Sequence, residues 1–90
     1  MNPARFQLFA EAYIVAVLQA VVELGPHLGG KSPQQYALDA CLSMLDTTQT
    51  HGVEAVAHYV LNTRGGAFRH TAEALGVEPT AKALQHYLEG

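Results

Sequence analysis

The side chains able to do chemistry in this chain are few, and their spacing decides what they can do. Five histidines (His27, His51, His58, His70 and His86) stand among its ninety residues. A zinc pair on a helix needs two ligands at i and i+3 or i and i+4, so that both imidazoles leave one face. No two of these histidines have that spacing. Glu54 and His58 do, as half of a site at most, and a surface hydrogen bond accounts for them equally well. Asp39 and Asp46 are seven positions apart with Ser43 between them, about 10 Å along a helix. A nucleophilic serine needs a base in hydrogen-bond reach and a place for the oxyanion, and no local pattern supplies either. The two aspartates therefore read as the wet side of a helix. Cys41, the single cysteine, excludes an intramolecular disulfide and reads as a small buried hydrophobe.

Gly65-Gly66 raises the question of phosphate binding, because helix N-termini attract anions. The segment Thr63-Arg64-Gly65-Gly66-Ala67-Phe68-Arg69 lacks both the Walker spacing and the G-x-G-x-x-G pattern. The glycines then read as a hinge between helices. No catalytic, cofactor-binding or metal-ligating residue is expected, and the chain is expected not to be an enzyme.

Composition bounds the rest. Ninety residues make a single domain, 1–90. Hydrophobic residues are 49% of the chain and charged residues 14%, against a usual charged share of roughly 25%. So few charges exclude disorder and leave much of a small surface apolar, which favours a protein partner or a second copy. The net charge is −3, from five Lys/Arg against eight Asp/Glu. Nucleic-acid binders draw much of their affinity from basic excess, so the acidic balance counts against nucleic acid. The charge-free run Ala12 to Val22 is too short to span the ~30 Å of a bilayer interior. No positive lead-in or small-x-small cleavage pattern accompanies it, and a cytoplasmic protein with no membrane association is expected.

The elements that would carry these residues are all helical. Asn2 caps and Pro3 opens a first helix that Gly25-Pro26 stops. Gln7, Glu11, Gln19 and Glu23 fall on one line with Val15, and nearly everything else on that helix is apolar. A helix so apolar around its circumference is central to the core or packs on two sides, and Ile14, Val15, Leu18 and Val22 are the residues expected to self-associate. His27 to Lys31 form a loop. Ser32-Pro33-Gln34-Gln35 reads as a capping box that opens a helix over 33–47, ended by the polar run Asp46 to Gly52. Val53, Val56, Ala57, Val60 and Leu61 mark a third helix. Phe68, Ala72 and Leu75 mark a fourth that ends at Gly76, and Ala81, Leu84, Tyr87 and Leu88 a fifth that begins at Pro79 or Thr80. The fold class is all-α, a compact bundle of about five helices.

The last two helices have a helix-turn-helix-like pattern: small Ala72, a turn at Gly76 between Leu75 and Val77, then Ala81 and Leu84. The apolar positions after the turn come about one residue early, and Pro79 lies beside it. The second helix offers Glu78, Lys82, Gln85 and His86 but no Arg for reading bases. Gly65, Gly66, Ala67, Phe68, Thr71, Leu75, Gly76, Val77, Thr80, Ala83, Tyr87 and Leu88 together resemble the C-terminal part of small, uncharacterised helical proteins encoded by phages and plasmids. The resemblance covers about a quarter of the chain and transfers no activity. It implies a mobile-element setting, in which short acidic proteins often bind and block a host or defence protein.

The leading expectation is thus a non-enzymatic binding protein that acts on a protein partner and forms a homo-oligomer, a dimer. The competing expectation is a DNA-binding regulator. Arg64, Arg69, Lys82, Gln85 and His86 are the residues expected to touch partner or DNA.

Overall fold

The computed structural model describes residues 1–25 and 29–90, the Leu24 side chain excepted; His27 and the start of the expected loop lie outside the described residues. Among those residues the chain is all-helical, with four helices: α1 (Pro3–Leu24), α2 (Pro33–Thr63), α3 (Gly65–Leu75) and α4 (Ala81–Glu89).

Local sequence sets each boundary. The Asn2 side chain accepts hydrogen bonds from the backbone N–H groups of Ala4 and Arg5, with Pro3 in the first turn, which satisfies donors that a helix start leaves orphaned. Gly25 closes α1 at φ 53°. Ser32 Oγ accepts from Gln35 N at 3.1 Å, but the reciprocal half of the expected capping box is not made. The Gln35 amide instead donates to Asp39 at 2.7 Å, one turn further on.

The expected second and third helices are one element. The run Asp46 to His51 stays helical because its threonines satisfy their hydroxyls within the helix: Thr47, Thr48 and Thr50 donate to the carbonyls of Ser43, Met44 and Asp46. This back-bonding is compatible with helix and bends it. The bend falls at Gly52, with φ 85° and ψ −173°, a conformation essentially restricted to glycine. Four helices rather than about five result, with α2 kinked where a break was expected.

The break between α2 and α3 is also shifted. Arg64, at φ −141° and ψ 61°, is the single non-helical residue, and Gly65 and Gly66 already belong to α3. After Leu75, Gly76 takes the left-handed conformation and Val77 N donates to Ala72 O at 2.9 Å, the Schellman closure. α4 starts at Ala81, with Thr80 Oγ1 accepting from Ala83 N.

The core forms where the helical stripes converge. Phe9, Tyr13 and Val17 of α1 meet Ala40, Met44, Val56, Ala57 and Val60 of α2, Phe68 of α3, and Leu84 and Leu88 of α4. α3 lies along α1, and α4 packs chiefly on α2; α3 and α4 hardly touch. The chain ends are clasped together: Asn2 N donates to Leu88 O at 2.8 Å, and Arg5 donates to Tyr87 O at 3.2 Å. The Arg5 cation thus sits at the C-terminus of α4, where the helix dipole is negative, and over the Tyr87 ring at 5.0 Å.

Candidate functional site

Each group of residues with chemical potential has a place in this fold. Among the described residues no group of three His, Cys, Asp or Glu side chains could hold a metal ion. Glu54 and His58 are both exposed, as are His51, His70 and His86. Asp39 is held by Lys31 at 2.7 Å and by Gln35, and these hydrogen bonds keep its carboxyl below the usual carboxylate value. Asp46 is exposed on the same helix.

One polar cluster lies inside. Arg64, at the α2–α3 break, stacks its guanidinium over the Tyr36 ring at 5.1 Å and donates to the Tyr36 hydroxyl at 3.5 Å. Its Nε is buried without a hydrogen-bond partner, and so is the hydroxyl of Tyr13. Burial pushes the Tyr13 phenol up to about 12, although nearby Arg64 pulls in the opposite direction. Burial likewise raises the half-buried Cys41 thiol, with Arg64 partly offsetting it. A thiol raised by burial is a poor nucleophile at neutral pH. The cluster joins α1, the start of α2 and the α2–α3 break by packing, and it leaves the Arg64 guanidinium turned inward.

The remaining residues expected to touch a partner or DNA are divided between two helices. Lys82 and His86 are exposed on α4 beside half-buried Gln85, whose amide bonds to Glu89 at 3.1 Å. Arg69 is exposed on α3 and pairs with Glu73 at 3.3 Å. Since α3 packs on α1 and α4 on α2, these cations do not gather into one stripe with Arg64.

The apolar surface is far more concentrated. Ile14, Val15, Leu18 and Val22 are all exposed, Val22 to 82%, and Leu8 joins them on α1. Leu38, Leu42 and Leu45 form a second exposed row on α2, at i, i+4 and i+7. Among the described residues, exposed large hydrophobics are confined to these two helices and Met1. The α2 row was missed in the sequence because Tyr36, Ala37, Ala40, Cys41, Met44 and Leu45 already read as one apolar stripe there, of which Leu45 proves exposed. The signal was a second leucine arc on a helix whose first arc was sufficient for a core.

The α1 face continues into a groove of 640 Å³ against α3. Leu8, Ala12, Val15, Ala16, Ala74 and Leu75 form its apolar lining, and Glu11, Gln19, His70 and Glu73 its polar lining. By length and composition Pro3–Glu23 could cross a membrane, at a mean hydropathy of 1.5. Its Phe9, Tyr13 and Val17 nevertheless fill the centre of the core at 0–1% exposure, and a lipid-spanning helix would have to abandon that packing.

Compared with protein-family models, curated proteins and solved structures, the chain finds no match.

Proposed function

We propose that this protein acts by binding another protein, through apolar helix faces that its own fold leaves uncovered. The observation that carries the reading is the leucine row of α2, Leu38, Leu42 and Leu45, standing 38–53% exposed on a helix that already has a buried stripe. Isolated surface leucines need no explanation, but a row at helical spacing is what an amphipathic partner helix packs against. The expected partner is a helix with a complementary apolar face. The likeness of Gly65–Leu88 to phage and plasmid proteins favours a host or defence protein as its owner, and the cytoplasm as the setting.

DNA binding is the second reading, supported by exposed Lys82 and His86 on α4 and Arg69 on α3. It is the weaker one. The net charge is −3, Arg69 is paired with Glu73, and α3 and α4 make little of the mutual contact that a reading helix needs for support.

Quantitative capture of protein from native extract, with wild type and face variants side by side, separates the two. The Leu38→Glu/Leu42→Glu variant should lose capture by about tenfold or more, since an unpaired carboxylate is costly to bury in an apolar interface and about 1.4 kcal/mol is already tenfold. The Lys82→Ala/His86→Ala variant should bind as wild type does. Tight duplex binding that weakens steeply with salt and is lost in the α4 variant would reverse the assignment.

A further inference from the structure

We infer that the exposed stripe of α1 is the seat of a second copy of this chain, in an antiparallel pair of α1 helices whose two-fold axis passes through Val15. The inference rests on the protein-binding reading, and it gives α1 one occupant while leaving the α2 leucines for another partner.

Register is the argument. Leu8, Val15 and Val22 are spaced by seven, so they form a single seam along the helix, and all three are exposed, to 51%, 55% and 82%. A closed dimer is isologous, each residue i meeting j while j meets i. With Val15 on the axis, positions that sum to 30 face each other across the seam. Leu8 then meets the partner copy's Val22, Val15 meets itself, and Ala12 meets the partner copy's Leu18. Each contact but the central one occurs twice, and no apolar position of the seam is left opposite a charge.

The polar positions agree with the same register. Glu11 falls opposite Gln19, so a carboxylate meets an amide that can donate to it, once on each flank. Parallel pairing would instead set Glu11 beside Glu11, a like-charge contact.

On the helical wheel Ala12 lies toward α3 and Leu18 away from it, and the two-fold, perpendicular to the pair of helices, keeps the α3 sides of the two copies together. The 640 Å³ groove floored by Ala12, Ala16 and Ala74 and walled by Leu75 then runs along the same edge of the seam in both copies. The exposed seam from Leu8 to Val22 runs about 21 Å along each copy, and antiparallel pairing in this register covers its whole length. Ile14 lies on the flank of this seam and not at its centre.

The full chain at micromolar concentration should sediment at twice 9.7 kDa, and Val15→Glu, with its helix content retained, at the monomer mass. Register has its own readout in a Cys41→Ser background. Val15→Cys should oxidise to a disulfide-linked dimer, because that position meets its own copy. Leu8→Cys alone should not, its copies lying about 21 Å apart along the seam, whereas an equimolar mixture of Leu8→Cys and Val22→Cys should cross-link. A folded wild-type monomer, a dimer linked through Leu42→Cys but not Val15→Cys, or a monomer that floats with phosphatidylcholine vesicles would each overturn the inference. If the dimer fails while the α2 leucines still govern partner capture, only this pairing is lost and the protein-binding reading stands.

Discussion

Tyr13 and Arg64 bring polar groups into the packed interior of this fold, and both retain a buried group without a hydrogen-bond partner. An unmade hydrogen bond gives no stability to lose, so Tyr13→Phe should unfold within about 1 kcal/mol of wild type at neutral pH. A clear loss of stability would mean that the hydroxyl is bonded. At high pH the phenol becomes informative. Its folded value is raised from the usual 10.0 to about 12, so its contribution is complete below pH 10 and is lost as pH rises toward 12. Denaturant titrations should show roughly 2–3 kcal/mol of alkaline destabilisation across that window, and Tyr13→Phe should remove it. Asp39 has the opposite sign. Its folded value is lowered from 3.8 by Lys31 and Gln35, so its contribution is present above pH 3.8 and is lost as pH falls through the folded value. Lys31→Ala should flatten that acid limb in the same titrations.

At the scale of elements, the helices show what a sequence makes legible. Asn2, Ser32, Gly76 and Thr80 lie at or beside helix ends because caps are local chemistry, settled by side chains within three residues of the backbone groups they serve. The buried stripes of Val53–Leu61 and Phe68–Leu75 followed from periodicity. The polar run before Gly52 was misleading, because threonines read as a helix stop while their hydroxyls bond back into the helix. The Gly65-Gly66 pair misled in the other direction, the turn falling at Arg64, whose guanidinium finds Tyr36 only through the tertiary fold. Gly52 is the clearest test at this scale. An alanine there meets no neighbouring atom within 4 Å, yet must take φ 85°. Gly52→Ala should therefore lower stability by about 1–3 kcal/mol through backbone strain alone. Thermal melts of the purified variant check this, and an unchanged melting temperature would mean the kink can straighten.

For the molecule as a whole, the exposed leucines and valines are not the sign of a loose fold. The radius of gyration is 12.4 Å, close to the ~12 Å expected of a compact domain this long. The accessible surface of 5312 Å² likewise matches the ~5,100 Å² expected for the mass. The body is closed, and its uncovered apolar side chains are grouped on α1 and α2. The apolar excess of α1 was legible because its stripe runs beyond what one core face can use. The α2 row and the groove against α3 were not, since they depend on which of several apolar arcs the tertiary packing covers. The cations of α3 and α4 are scattered along the sequence, and the fold does not gather them, because α3 packs on α1 and α4 on α2.

The proposed ligand is protein and not DNA, and the proposed seat is the α2 face. A photo-reactive amino acid placed at position 42 in one preparation and at position 82 in another tests that assignment most directly, with both irradiated in native extract. A discrete protein adduct is expected from position 42, lost in the Leu38→Glu background, and none from position 82. A nucleic-acid adduct from position 82 with position 42 unreacted would contradict it.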